Sequence, residues 1–109
     1  MGERQIILWR HGRTSWNAER RFQGQSDIEL DDVGRAQAER AAELLAYLEP
    51  DRIIASDLAR AWATAQALSA RTGVHVTADA RLRETFAGEW EGLSRAELLE
   101  RHGDEVARW

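Results

Sequence analysis

The sequence predicts an α/β fold with a mainly parallel sheet, on two observations. Three short apolar runs at residues 5–10 (QIILWR), 52–56 (RIIAS) and 74–77 (VHVT) have the length of strands. They alternate with segments whose apolar residues recur at helical spacing. The resulting order is strand, loop, helix, strand, helix, strand, loop, helix.

The first run leads straight into His11-Gly12 and reads as a buried strand. Residues 13–30 are polar with no sustained period, so they form a loop with one helical turn around 14–18. Asp31 is a natural N-cap and Asp32 suits the positive end of a helix dipole. Val33, Ala41, Leu44, Leu45 and Leu48 follow at helical spacing until Pro50, which predicts a helix over 32–49. After the second, buried strand, Ser56 or Asp57 caps a helix that buries Leu58, Ala61, Trp62, Ala65 and Leu68 and stops at Gly73. The third strand follows, then an irregular stretch over 81–93. Ser94-x-x-Glu97 is a capping box opening a helix toward Arg101.

Composition narrows the class. The 109 residues carry 19 acids and 15 basic residues, all arginine, for a net charge of −4. That balance gives no whole-chain argument for nucleic acid. No cysteine is present, which excludes disulfides, thiol nucleophiles and cysteine-ligated metals. No apolar run approaches a membrane span or the core of a signal peptide, so a cytoplasmic protein with no membrane partner is expected.

The chemistry concentrates in Arg10-His11-Gly12-Arg13-Thr14-Ser15-Trp16-Asn17, immediately after the first strand. Ligands in open α/β sheets bind outside the carboxyl ends of strands. A neutral imidazole is a competent nucleophile near pH 7, and an adjacent arginine both holds it neutral and attracts an anion. Gly12 lets the backbone bring a substrate close to the ring, and Asn17 adds an amide donor.

This segment resembles the signature of the histidine phosphatase superfamily (phosphoglycerate mutase-like), a strand ending in Arg-His-Gly that continues to Thr-x-x-Asn. Phe22-Gln23-Gly24 with Leu30, Gly34, Gln37 and Ala38 is similar to the family's substrate loop and first helix. Ala55-Ser56-Asp57-Leu58-x-Arg60-Ala61 with Thr64-Ala65 resembles its second motif. Leu82-Arg83-Glu84 and Gly88-x-Trp90-Glu91-Gly92-Leu93 resemble its third. Arg13 departs from the pattern, where glutamate or glutamine is commoner.

The resemblance implies a three-layer α/β/α fold, of which residues 1–109 form the N-terminal part of a single domain. It implies that His11 attacks phosphorus and that Glu84 protonates the leaving oxygen, then deprotonates water. Arg10 and Arg60 would clamp the phosphoryl oxygens, Asn17 would contact phosphate, and Gln23 and Gly24 would line the pocket. No metal or other cofactor is implied, because the arginines neutralise the charge. Without the motif, Arg60 and Glu84 would pass for solvated charges, Trp90 for packing under the loop and His75 for a strand residue.

Two further features bear on function. A second Arg-His-Gly at 101–103 lies on a helical pattern, with Gly103 as a C-cap and no strand before it, so it reads as a decoy. The family's second active-site histidine, in a later Ser/Ala-His-Gly strand end, has no counterpart in these residues. The expectation is an incomplete phosphate pocket, weak turnover and an exposed sheet edge able to pair with a second copy. The implied activity is a phosphomonoester hydrolase acting on a small phosphorylated metabolite, of sugar phosphate or phosphoglycerate type. The alternatives are a cofactor-dependent phosphoglycerate mutase and, second, an inactive fragment or phosphate-ligand-binding member. The compact run TFAGEWEG and the acidic helix carrying Glu97, Glu100, Asp104 and Glu105 favour the phosphatase branch.

Overall fold

The computed structural model describes residues 4–108. Strand β1 (Ile53–Ala55) and strand β2 (Val76–Ala78) pair in parallel, with Ile53 opposite Val76 and Ala55 opposite Ala78. Helix α3 (Ala59–Thr72) connects them, which makes a βαβ unit and bears out the parallel α/β class. Side chains alternate across β1. Ile53 and Ala55 are buried in the core, while Ile54 on the other face is 55% exposed.

Helix α2 (Asp32–Leu45) packs on α3, and Asp31 caps it by accepting a 2.7 Å bond from the Gly34 amide. The helix is shorter than 32–49, because the chain tightens into a 3-10 turn at Ala46–Leu48 and turns left-handed at Glu49. Its buried stripe is Gly34, Ala38 and Ala42, with Leu45 packed against the core. Val33, Leu44 and Leu48 are exposed, contrary to the expected face. Ala38 and Ala42 let α2 approach α3 closely, and Ala65 on α3 joins them in the core.

Helix α3 ends as expected at Gly73, whose φ of 77° is left-handed. Its start differs from expectation. Ser56 Oγ accepts from the Leu58 amide at 3.1 Å, but the Ala59 amide is capped by Asp27 Oδ1 at 2.6 Å, from the distant loop. Asp57 is not a cap. Of the expected face, Leu58, Ala65 and Leu68 are buried, whereas Ala61 and Trp62 are half-buried and Arg60 and Thr64 take the interior positions. Arginine in that stripe cannot be anticipated from apolar spacing.

Short helix α1 (Ser15–Ala18) has Thr14 as N-cap in a capping box with Asn17, so the expected turn forms. Helix α4 (Arg95–Arg108) opens on the expected Ser94/Glu97 box, in which the Ser94 hydroxyl donates to Glu97 at 2.9 Å. Its backbone breaks at His102 and then continues, so Gly103 lies within the helix and is not a C-cap. No helix among the described residues is long and apolar enough to cross a membrane.

Residues 5–10 are the clearest correction. They form no strand, and Ile6 and Leu8 are 91% and 92% exposed. A strand needs a neighbouring ladder and cover on its faces, and the described residues supply neither to this run. Only Trp9 packs against the core.

Candidate active site

Two glycines set the position of His11. A Cβ on Gly12 would fall 2.3 Å from the Gly34 carbonyl oxygen, and one on Gly34 would fall 2.0 Å from the Arg13 carbonyl oxygen. Only glycine at both positions lets the 11–13 segment lie against the start of α2. The segment is then tied at three points. Gly12 N–H donates to Thr64 Oγ1 at 3.0 Å, Arg13 N–H to Gln37 Oε1 at 3.0 Å, and Asp31 N–H to the Arg13 carbonyl at 2.9 Å. The Arg13 guanidinium pairs with Asp31 at 2.7 Å, so it ties the loop to the α2 cap.

His11 Nδ1 lies 2.6 Å from the Gly12 carbonyl oxygen. A carbonyl can only accept, so Nδ1 carries the proton and Nε2 keeps its lone pair. Burial is the main influence on the ring and pushes its pKa below the ordinary histidine value; Arg60 and Arg10 push the same way, against the Gly12 bond and Glu84. These influences favour the neutral form of the ring. Arg10 itself is exposed beside it.

Arg60 is 1% exposed. Its Nη1 donates to the Ser26 carbonyl and its Nη2 to the Gly24 carbonyl, both at 2.6 Å. These bonds use two of five donors, so the guanidinium shapes the loop with part of its fork. Burial lowers its pKa, while Glu84, Asp27 and Glu91 counter with negative charge. Thr64 Oγ1, which accepts from Gly12, donates to the Arg60 carbonyl at 2.8 Å. One hydroxyl thus connects the His11 turn to the helix that carries Arg60.

Thr14 is fully buried and organises the remaining loop donors. Its hydroxyl donates to Gln23 Oε1 at 2.6 Å, and its amide donates to Asn17 Oδ1 at 3.0 Å. Asn17 therefore spends its carbonyl on the capping box, and the Nδ2 amide stays outside it. Gln23, Gly24 and Glu84 line one open cleft of about 260 Å³, together with Phe22 and Thr85. The exposed Glu84 stands at its mouth next to Arg83, which forks onto Asp57 with its Nε at 2.7 Å from Oδ1.

The two loops that meet at this cleft are joined in several places. Phe22 N–H donates to the Leu93 carbonyl at 2.9 Å and Gly92 N–H to the Phe22 carbonyl at 2.7 Å. Arg21 donates to the Gly92 carbonyl at 2.7 Å and to Glu97 at 3.0 Å. Trp90 meets Phe22 edge to face at 5.9 Å, the packing role expected of it. Sequence reasoning quoted Thr14 and Thr64 within motifs but gave them no role, and it missed Asp27, whose partner is the remote Ala59 amide. The Thr14-x-x-Asn17 spacing and the place of Thr64 in the second motif are the signals that point to the two threonines.

Residues 6–109 match the profile of the histidine phosphatase superfamily (branch 1). The chain belongs to this superfamily. Over 98 residues it is 48% identical to the glucosyl-3-phosphoglycerate phosphatase of Mycobacterium tuberculosis, covering 90% of this chain and 44% of that protein. It is also 42% identical over 110 residues to the 2,3-bisphosphoglycerate-dependent phosphoglycerate mutase of Caulobacter vibrioides, covering 95% of this chain and 46% of that one. A mycobacterial glucosyl-3-phosphoglycerate phosphatase solved in complex with VO3 superposes with a TM-score of 0.83 at 47% identity. That match covers 89% of this chain and 49% of the other. The chain thus spans about half the length of the relatives it matches. Arg60, Arg10 and Glu84 all act electrostatically on His11, and Glu84 lines the cleft with Gln23 and Gly24, whereas the decoy Arg101-His102-Gly103 lies on α4 and His75 lies just before β2.

Proposed function

We propose that the chain carries the nucleophilic side of a phosphomonoester hydrolase that works through a phosphohistidine on His11. The observation that carries this reading is the His11 ring itself. Its Nδ1 lies 2.6 Å from the Gly12 carbonyl oxygen, which leaves Nε2 as the free ring nitrogen, and burial with two guanidinium groups pushes its pKa down.

In the forward step, Nε2 attacks phosphorus and the P–O bond to the leaving group breaks. Glu84 gives its proton to the departing oxygen. Arg10, Asn17 and the free donors of Arg60 hold the equatorial oxygens, where the transition state spreads its charge. Water then attacks the phosphohistidine, Glu84 takes its proton, and phosphate leaves with the imidazole restored. Gln23 and Gly24 line the entrance for a small phosphorylated metabolite of sugar phosphate or phosphoglycerate type. The reaction is assigned to the cytoplasm, the rest of the pocket comes from a further part of the same domain, and the 109 residues alone turn over weakly.

The mutase reading draws on the likeness to the Caulobacter vibrioides enzyme. The acidic surface of α4, with Glu100, Asp104 and Glu105 exposed, disfavours a second anionic group nearby and supports hydrolysis. A noncatalytic, phosphate-binding role is the third reading. The deciding experiment measures phosphate release and phosphoglycerate isomerisation by the longest native reading frame containing this chain. Phosphate released without bisphosphoglycerate, and lost in His11→Ala, supports the hydrolase. Isomerisation that depends on bisphosphoglycerate overturns it in favour of the mutase, and release that survives His11→Ala removes the nucleophile.

A further inference from the structure

The geometry points to Glu91 as a positioning residue that clamps the two substrate loops together and thereby aims Arg60 and Glu84, an inference that rests on the phosphatase reading. One carboxylate serves both loops. Its Oε2 accepts from the amides of Gln25 at 3.1 Å, Ala87 at 3.1 Å and Gly88 at 3.3 Å, and its Oε1 accepts from the Ser26 hydroxyl. Gln25 and Ser26 lie on the loop whose Gly24 and Ser26 carbonyls receive the Arg60 fork. Ala87 and Gly88 follow Glu84 on the other. Gln25 Nε2 adds a second tie across the gap by donating to the Glu84 carbonyl at 3.1 Å.

The loop itself is shaped around this carboxylate. Gly24 has a φ of +52°, and a Cβ there would fall 2.6 Å from Glu91 Oε2. A side chain at 24 would therefore push the clamp open. Burial alone would raise the Glu91 pKa, but the bonds from Ser26, Ala87, Gln25 and Gly88 outweigh it and hold the carboxyl below its usual value. Glu91 also contributes negative charge toward Arg60. Removing it takes the acceptor from three backbone amides and frees both loops at once.

Three substitutions separate this role from a bulk structural one. Glu91→Gln keeps one oxygen for the three amides, and its NH2 can donate to the Ser26 hydroxyl. Glu91→Asp keeps the charge but is one methylene too short to span the loops. Glu91→Ala keeps neither. Hydrogen exchange reads the clamp directly at the amides of Gln25, Ala87 and Gly88, whether or not the protein is a phosphatase. Kinetics on the native-length protein, with inorganic phosphate as competitive inhibitor, read its consequence.

Glu91→Ala is expected to speed exchange at those amides while α3 stays protected. It lowers kcat/KM by ~10²-fold, the loss a misplacement near 1 Å brings, and weakens phosphate inhibition. Glu91→Gln stays within roughly threefold of the parent, and Glu91→Asp follows Ala. Should Ala lose protection throughout α3, Asp serves as the test. Unchanged exchange in the clamp variants, lost protection with unaltered kinetics, or Gln behaving like Ala would each overturn the inference. Absence of phosphate release from the unsubstituted protein fails the phosphatase reading separately, and exchange then decides the clamp alone.

Discussion

Replacing Gly34 with alanine sets helix propensity against packing, and their magnitudes decide the outcome. Alanine in place of glycine favours a helix by at most about 1 kcal/mol, less in a first turn. Against this, the new Cβ would lie 2.0 Å from the Arg13 carbonyl oxygen and 2.7 Å from its nitrogen. Relieving that contact requires a movement of roughly 1.5 Å to reach ordinary separation. The 12–14 segment resists it through the Gly12–Thr64, Arg13–Gln37 and Asp31–Arg13 bonds. Overpacking of this kind costs about 1–3 kcal/mol, and the strained Asp31–Arg13 bond adds about 1. A net loss near 2 kcal/mol is expected by urea denaturation. The same displacement shifts His11, so kcat/KM falls by ~10²-fold in the native-length protein. Ala36→Gly, on the exposed side of α2, is the control: it costs no more than about 1 kcal/mol and leaves activity unchanged. A Gly34→Ala protein that is more stable than its parent, or equally active, would refute the reasoning.

Other outcomes follow from the same contacts. Arg60→Met removes two charge-assisted bonds to the Gly24 and Ser26 carbonyls from a fully buried group, so stability drops by about 3 kcal/mol. In the same variant kcat falls by ~10²–10³-fold, and an undiminished kcat would show that Arg60 serves the loop alone. Because burial first, then Arg60 and Arg10, hold His11 below the ordinary value of 6.5, the acid limb of kcat/KM against pH lies below that value. Arg10→Gln removes a cation that disfavours imidazolium, so the limb moves to higher pH; movement the other way contradicts the electrostatics. The 109-residue chain alone is expected to self-associate through exposed apolar side chains such as Ile6, Leu8 and Ile54, as read by light scattering on a sizing column. Ile54→Glu reduces that association, and a monodisperse parent with robust turnover would contradict it.

Much of the site is legible in the amino-acid sequence. Ser94-x-x-Glu97 and Gly73 after a helical pattern are local signals, and local geometry honours both, whereas Arg10-His11-Gly12 is marked by its motif although the run before it forms no strand. Residues 5–10 show the limit: apolarity marks the run, but pairing depends on partners far along the chain. The buried face of α2 is misjudged because large apolar residues dominate a periodicity reading, whereas packing on α3 selects Ala38 and Ala42 and the Arg13 backbone selects Gly34. Arg60 is found through its motif yet invisible as a core residue, since arginine rarely fills such a position. Glu91 is visible only as part of a motif, because the Ser26 hydroxyl and Gln25 amide it binds lie more than sixty residues earlier.

The proposed chemistry requires His11 to bond covalently to phosphorus. Rapid quenching of the native-length protein with a 32P-labelled monoester, followed by mass spectrometry of its peptides, tests this directly. The expected result is an acid-labile, base-stable phosphoryl group on His11 that forms before phosphate is released and is absent from His11→Ala. Phosphate release with no phosphoenzyme, or a label on any other residue, would contradict it.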